Sequence, residues 1–97
     1  MTRKEIINAL ECRPFNFSSY KDPAGVTVFP FGQKGNIAVY PKDFAVNLGD
    51  WEKPLVALKA SRIRTIELWN MDDHFYLKVT LNGKECDFFC IDLGSDI

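Results

Sequence analysis

The sequence predicts an α+β fold in two layers, in which a mainly antiparallel sheet of about five strands packs against one or two short helices. Three observations predict this class: a helix-start pattern at the N-terminus, two glycine-containing turns between short apolar runs, and alternating apolar and polar residues in the last third. We expect a single domain over residues 1–97, because a chain of this length holds one modest core. The predicted element order is α-β-β-α-β-β-β.

The composition is that of an ordinary globular protein, with 46% hydrophobic and 26% charged residues, which argues against disorder. Twelve basic and thirteen acidic residues give a net charge of −1, so overall charge provides no attraction to nucleic acid or to an anionic membrane. Three cysteines, an odd number, favour a reducing compartment over a disulfide framework. Since no apolar segment suits a signal peptide or a membrane span, we expect a cytoplasmic protein without membrane contacts.

The first predicted element is a helix that begins after Thr2. Thr2 and Glu5 have the spacing of a capping box, in which each side chain accepts a hydrogen bond from a free backbone N–H at the helix start. Apolar residues from Ile6 to Leu10 supply one buried stripe. Pro14 ends the element because the residue before a proline disfavours helical geometry.

A loop over residues 14–25 and then a hairpin are predicted next. The hairpin strands extend from Val26 to Phe31 and from Asn36 to Tyr40, around a turn at residues 32–35 that contains two glycines. Pro30 has no N–H for a sheet hydrogen bond, so the first of these strands is expected at a sheet edge or with a bulge.

Residues 42–61 support two interpretations. The spacing of Phe44, Val46 and Leu48 has the period of a strand, and Asp50 can cap a helix that follows. We favour a short helix from about Trp51 to Ala60, with a strand across Leu55 to Leu58 as the alternative.

Residues from Arg62 to Leu93 are predicted to form three antiparallel strands joined by two tight turns. The first turn covers residues 70–73, with Leu68 facing Phe75 and Ile66 facing Leu77. The second is a two-residue turn at Asn82 and Gly83, which tolerate the positive φ of a type I′ turn.

The second turn predicts which residues of the last two strands face each other. It pairs Val79 with Cys86, Lys78 with Asp87 and Tyr76 with Phe89. The core face is then expected to contain uncharged residues: Phe75, Leu77, Val79, Leu81, Cys86, Phe88 and Cys90.

The opposite face of these strands is the predicted partner-binding surface, because aromatic anchors with a charged rim are typical of protein interfaces. Its expected members are Trp69, Tyr76, Phe89, Glu67, Asp72, Asp73, Lys78 and Asp87. The leading hypothesis is a small non-enzymatic protein-binding module, an inhibitor or modulator of a larger protein or nucleoprotein complex. Inhibitors that phages and other mobile elements encode against host machinery suit this size. Homodimerisation through this face or an open sheet edge is a related possibility.

The sequence leaves three alternatives open. Helices that cover the aromatic face would make it ordinary core. The same aromatic residues with Lys78, Arg62 and Arg64 could form a sheet platform for single-stranded nucleic acid, although nearby carboxylates oppose phosphate binding. A small enzyme around His74 is the weakest alternative, because no nucleophile is predicted on its face of the sheet.

The spacing of ligand residues predicts neither a metal site nor a cofactor. The sequence contains one histidine and no Cys-x-x-Cys pair, and the adjacent Asp72 and Asp73 lack the alternating ligands of a calcium loop. The glycines of residues 32–35 lack the spacing of a phosphate-binding loop.

Overall fold

The computed structural model describes residues 1–83 and 87–95. Within these residues the chain forms one α-helix and eight strands in two antiparallel sheets. The elements are α1 (Arg3–Glu11), β1 (Tyr20–Lys21), β2 (Thr27–Phe31), β3 (Gly35–Val39), β4 (Asp43–Asn47), β5 (Val56–Lys59), a 3₁₀ turn (Ala60–Arg62), β6 (Ile63–Met71), β7 (His74–Leu81) and β8 (Phe88–Gly94). The predicted α+β class is confirmed, but the strands divide between a first sheet, β1-β2-β3-β4-β5, and a second sheet, β6-β7-β8.

Helix α1 begins with the predicted capping box. The hydroxyl of Thr2 accepts a hydrogen bond from the N–H of Glu5 at 3.2 Å, and the Glu5 carboxylate accepts one from the N–H of Thr2 at 2.9 Å. The hydrogen bond from the Thr2 backbone also lowers the pKa of Glu5. Ile6 and Leu10 are fully buried, so the helix is held by its apolar stripe as well as by its cap.

The hairpin of β2 and β3 confirms the second predicted element, with Phe29 paired with Ile37. Pro30 pairs with Asn36 on the β3 side. On the other side of β2, strand β1 pairs only with Thr27 and Val28, so Pro30 lies beyond the end of β1. A residue without an N–H is therefore tolerated at this position.

The predicted helix from Trp51 to Ala60 is wrong, and the alternative strand is present as β5. This strand pairs with β4, placing Ala57 opposite Ala45. The carboxylate of Asp50 accepts a hydrogen bond from the Glu52 N–H at 2.9 Å, which closes a local turn instead of starting a helix. The alternation of half-buried Val56 and Leu58 with exposed neighbours suits an edge strand with one face on the core.

The pairing of β6 with β7 keeps the predicted faces but shifts the predicted register by two residues. Leu68 faces Leu77 and Trp69 faces Tyr76. The strands continue to Met71 and His74, so the turn is shorter than expected and consists of Asp72 and Asp73, with Asp72 at φ 56°. An even shift leaves every side chain on its original side of the sheet.

The pairing of β7 with β8 contradicts the predicted register. Val79 faces Phe89 and Lys78 faces Cys90, a shift of three residues that exchanges the faces of β8. The Leu81 N–H donates to the Asp87 carbonyl at 2.9 Å, whereas the predicted two-residue turn would have paired Leu81 with Lys84. Cys86, which was predicted on the core face opposite Val79, lies outside the described residues.

Burial explains the observed register. Ile91 and Leu93 are each 4% exposed and Phe89 packs against the core, whereas Phe88 and Cys90 are exposed. The predicted register would have continued along β8 by turning Asp92 toward the core, and an unpaired buried carboxylate is strongly unfavourable. The observed register keeps Asp92 outside, buries Ile91 and Leu93, and leaves Phe89 half-buried against the core.

One apolar core joins α1 to the inner faces of both sheets. It contains Ile6 and Leu10 from α1, residues such as Phe29 and Phe44 from the first sheet, and Leu77 from the second. The sheet faces that point away from this core are the outer faces. Across residues 1–83 and 87–95, no helix has the length and apolar character needed to span a membrane.

Candidate functional site

The outer face of the second sheet presents aromatic and charged side chains to solvent. It is called the β6–β8 face, and it consists of Thr65, Glu67, Trp69, Met71, His74, Tyr76, Lys78, Thr80, Phe88, Cys90 and Asp92. Three large apolar members are exposed: Trp69 by 41%, Met71 by 49% and Phe88 by 51%. Single exposed apolar residues are common on protein surfaces, but a group on one sheet face is typical of an interaction site.

Lys78 occupies the centre of the β6–β8 face. Its Nζ lies 4.6 Å from the ring centroid of Trp69 and 4.7 Å from that of Phe88. Because β7 is the middle strand, the lysine lies between an aromatic ring from β6 and one from β8. Such cation–π contacts contribute about 0.5–1 kcal/mol each at exposed sites, and here they hold two aromatic side chains around one ammonium group.

The Trp69 ring is also oriented by a hydrogen bond. Its Nε1 donates to Oε2 of Glu67 at 2.8 Å. Glu67 faces Lys78 across the β6–β7 pair, but the carboxylate forms its hydrogen bond with the indole two residues along the same strand. The indole is thus fixed at its N–H edge by Glu67 and at its π face by Lys78.

An ion pair lies toward the end of the face where β6 turns into β7. Nδ1 of His74 is 3.0 Å from Oδ1 of Asp92. The hydrogen bond to Asp92 raises the pKa of His74, and the charges of Asp73 and Asp72 raise it further. The same hydrogen bond lowers the pKa of Asp92, with a contribution from the Gly94 N–H. This end of the face is acidic, because three aspartates surround one histidine.

The structure brings together most of the residues predicted from the sequence. Trp69, Tyr76, Glu67 and Lys78 share the β6–β8 face, and Asp72 and Asp73 form the turn at its edge.

The positions of Phe89 and Asp87 differ from the prediction. Phe89 points to the opposite side, where it packs against the core. Asp87 precedes β8 and does not face Lys78, because the shifted register places Cys90 there.

Four members were not predicted to lie on this face: Phe88, Cys90, Asp92 and Met71. Phe88 lies on this face instead of Phe89, because the odd register shift exchanges the two sides of β8, and it faces Thr80 rather than Tyr76. The signal in the sequence was Asp92 followed by Leu93, which fits a strand with odd-numbered residues inside and even-numbered residues outside. Met71 was missed because residues 70 and 71 were assigned to the turn rather than to β6.

The arrangement around His74 favours an electrostatic role over nucleophilic catalysis. Cys90 is on the same face, but it pairs with Lys78, four residues from His74 along β7 and therefore about 13 Å away at the usual strand rise. That separation exceeds hydrogen-bond reach, which a cysteine–histidine pair requires. Among the described side chains, no group of three His, Cys, Asp or Glu is placed to hold a metal ion.

Comparison of the chain with protein-family models, curated proteins and solved structures gives no match. The chemistry of the β6–β8 face is therefore the guide to function. This face combines an ordered aromatic centre with an acidic end, and both features favour recognition of another macromolecule.

Proposed function

We propose that this chain is a small non-enzymatic protein-binding module whose β6–β8 face docks onto a larger protein or nucleoprotein complex. The observation that carries the proposal is the placement of Lys78 between the exposed rings of Trp69 and Phe88. A module of this size that covers a functional surface of its partner acts as an inhibitor or modulator. Proteins encoded by phages and other mobile elements are the class in which we expect such a module.

The first support is the order of the aromatic side chains before binding. Trp69 is held by the Glu67 carboxylate and by Lys78, so little rotamer freedom is left to lose on association. Ordering a side chain at an interface costs about 0.5–1.5 kcal/mol, and side chains that are already fixed avoid much of that cost. Tryptophan is also among the residues that most often dominate interface energetics.

The second support is the charge around the aromatic centre. The turn residues Asp72 and Asp73 and the strand residues Glu67 and Asp92 are all exposed. Lys78, by contrast, is half-buried between two rings. We therefore propose that the partner presents a basic surface with an apolar recess for Trp69 or Phe88, since complementary charge increases both specificity and association rate.

The same distribution favours a protein over single-stranded nucleic acid. Phosphate binding depends on a positive field, whereas four exposed carboxylates, those of Glu67, Asp72, Asp73 and Asp92, surround the single lysine of this face. A basic protein surface also suits a nucleoprotein complex, in which the module would compete with nucleic acid for the protein. Cytoplasmic location is part of this proposal, supported by the free thiols of Cys12 and Cys90.

Affinity capture with matched tryptophan variants tests the proposal. Trp69→Ala removes the central ring of the face, and Trp51→Ala removes a tryptophan that is 43% exposed on a different part of the surface. We expect capture of one specific partner by the wild type and by Trp51→Ala, and at least a tenfold loss with Trp69→Ala. Circular dichroism of both variants verifies folding. Equal capture by Trp69→Ala, or equal loss with Trp51→Ala, would reject this face.

Cysteine labelling provides an independent test on the same complex. Cys90 lies on the β6–β8 face and Cys12 at the end of α1, and both thiols are exposed. Peptide-resolved mass spectrometry after brief alkylation should show protection of Cys90 in the complex and unchanged labelling of Cys12. Protection of Cys12 alone would place the interface elsewhere. A self-associated chain in sedimentation experiments, with Cys90 protected, would identify a second copy as the partner.

A further inference from the structure

The last strand of the second sheet, β8, has an open edge. Within residues 1–83 and 87–95 this strand pairs with β7 alone, so no described strand lies along its other side. An open edge is a template for pairing with a further strand. Proteins commonly protect such edges with short strands, bulges, prolines or charged side chains, above all lysine.

Three of the four edge strands carry this protection. Strand β1 has only two residues, one of them Lys21. Strand β5 has four residues and ends at Lys59. Strand β6 has a bulge near its start and two charged side chains, those of Arg64 and Glu67. These three edges are therefore poor templates for another strand.

Strand β8 is the unprotected edge. It has seven residues without proline, lysine or arginine, and its regular pairing with β7 extends from Phe88 to Asp92. Its single charged residue, Asp92, is already paired with His74 of the same chain. The other residues are mainly phenylalanine and further apolar types that favour extended backbone. This edge can therefore accept another strand along its length.

The pairing with β7 determines which backbone groups of β8 point to the open edge. The Leu81 N–H donates to the Asp87 carbonyl, so these two residues form a hydrogen-bonded pair. Such pairs alternate with non-hydrogen-bonded pairs along an antiparallel ladder, and Phe88, Cys90 and Asp92 occupy the non-hydrogen-bonded positions. Their N–H and C=O groups therefore point away from β7, toward the open edge.

We propose that a second copy of this chain binds along this edge and forms a two-fold symmetric dimer through antiparallel β8 strands. The axis passes Cys90, because this residue is the middle one of the three with outward backbone groups. Cys90 then faces Cys90 of the second copy, and Phe88 faces Asp92 of the second copy. These are hydrogen-bonded pairs, in which each residue donates its N–H and accepts through its C=O. The outward backbone groups of all three residues are thereby satisfied.

The side chains fit the same register. On the outer face, Asp92 lies opposite an aromatic ring, and the two Asp92 residues of the dimer are about 13 Å apart along the strands. Like charges therefore do not face each other. On the inner face, the half-buried Phe89 gains contact with Ile91 of the second copy. A strand that matches itself in backbone groups, charge and apolar contacts favours a second copy over an unrelated partner.

The dimer joins the second sheets of the two copies into one continuous sheet, with three strands from each copy. Because the axis is perpendicular to the sheet, the two β6–β8 faces lie side by side on the same side of it. Self-association does not depend on the proposed partner binding, since it uses backbone groups of the edge and leaves the face open. A dimer of this kind presents two docking faces to a partner.

Sedimentation of the wild type and of charge variants at the axis tests the proposal. We expect the wild type to dimerise. Cys90→Lys and Cys90→Glu each place like charges opposite each other across the axis and should weaken the dimer about fivefold or more. An equimolar mixture of the two variants should regain the dimer, because opposite charges then meet. Cys90 is exposed, so both variants should fold, which circular dichroism verifies.

Two further variants test the location of the interface. Cys12→Lys adds the same charge at an exposed site at the end of α1 and should leave the dimer unchanged. Trp69→Ala alters the β6–β8 face and should leave it unchanged as well. A wild type that is monomeric at all concentrations, or a mixture that associates no more tightly than its components, would overturn the proposal. Loss of the dimer in Cys12→Lys or Trp69→Ala would also overturn it.

Cross-linking at Cys90 gives a second measurement. Opposite residues of a hydrogen-bonded pair have Cα atoms about 5.5 Å apart, and both Cys90 thiols point out of the outer face. In Cys12→Ser/Cys86→Ser, in which Cys90 is the only cysteine, bismaleimidoethane should join two chains. In Cys86→Ser/Cys90→Ser, in which Cys12 is the only cysteine, it should not. Absence of the Cys90 cross-link, or equal cross-linking through Cys12, would contradict the dimer.

Discussion

Nδ1 of His74 lies 3.0 Å from Oδ1 and 3.1 Å from Oδ2 of Asp92. The two residues belong to adjacent strands, and both side chains are half exposed, at 48% and 50%. Their hydrogen bond raises the pKa of His74 above its ordinary value of 6.5 and lowers that of Asp92 below 3.8. The ion pair therefore exists over a defined pH range on the acidic end of the β6–β8 face.

The first prediction concerns the pH dependence of stability. A raised pKa of His74 contributes stability that is fully present below pH 6.5 and is lost as the pH rises through the higher folded-state value. The lowered pKa of Asp92 contributes stability that is present above pH 3.8 and is lost as the pH falls through the lower folded-state value. Wild type should therefore exceed Asp92→Asn in free energy of unfolding most clearly between these two pH values.

Urea denaturation at several pH values measures this difference, and proton NMR follows the titration of the single imidazole directly. In Asp92→Asn we expect the pKa of His74 to fall toward its ordinary value. The remaining elevation should be small, because Asp73 and Asp72 are lesser causes of the shift. An unchanged pKa in this variant would show that the hydrogen bond is not its cause.

The second prediction tests the register of β8. Leu93 is 4% exposed, whereas Phe88 is 51% exposed. Leu93→Ala should lower the free energy of unfolding by about 2–5 kcal/mol, as for other buried leucines. Phe88→Ala should lower it by no more than about 1 kcal/mol, chiefly by removing the contact with Lys78. Urea denaturation distinguishes the two registers, because the sequence-predicted register places Phe88 in the core.

How far the fold follows from the sequence depends on the range of the interactions involved. The capping box of Thr2 and Glu5 was predicted because it lies within one turn of helix. The hairpin of β2 and β3 was predicted because its turn contains suitable glycines. The division of the strands between two sheets was not predicted, because it depends on how apolar faces that are far apart in the sequence pack together.

The β6–β8 face shows the same limit at the level of single residues. Trp69 and Tyr76 were placed correctly because an even register shift preserves their side of the sheet. Phe88 and Phe89 were predicted on the wrong sides of the sheet, because a register shift by an odd number of residues moves each side chain to the other face. Local turn preference at Asn82 and Gly83 suggested one register, whereas burial of Ile91 and Leu93 favours the observed one.

The third prediction concerns the order of the aromatic centre. Lys78→Met keeps the aliphatic stem and removes the charge that contacts Trp69 and Phe88. We expect a decrease of about 0.5–1 kcal/mol in the free energy of unfolding, the usual contribution of an exposed cation–π contact. Lys53→Met, at an exposed position in a loop, is the control and should change stability by less.

Fluorescence gives a second measurement of the same change. In a Trp51→Phe background, emission reports Trp69 alone, since the chain has two tryptophans. Lys78→Met should increase the rotational freedom of the indole and lower its steady-state anisotropy. Lys78→Arg should retain most of the wild-type anisotropy, because a guanidinium group also binds aromatic faces. Identical anisotropy for the Met and Arg variants would mean that the charge does not order the ring.

The fourth prediction concerns the buried pair of asparagines in the first sheet. Asn47 Nδ2 donates to Asn36 Oδ1 at 2.9 Å, and both residues are buried. Asn36→Ala leaves the Asn47 amide without its acceptor and should lower the free energy of unfolding by about 1–3 kcal/mol. Asn47→Ala leaves the Asn36 oxygen without its donor and should have a similar effect. The double variant should lose less stability than the sum of the two single variants, since neither polar partner is then left alone.

Urea denaturation of the wild type, the two single variants and the double variant gives the coupling energy between the two asparagines. A coupling near zero would mean that solvent replaces the lost partner at this site, and that Asn47 is less enclosed than its burial implies.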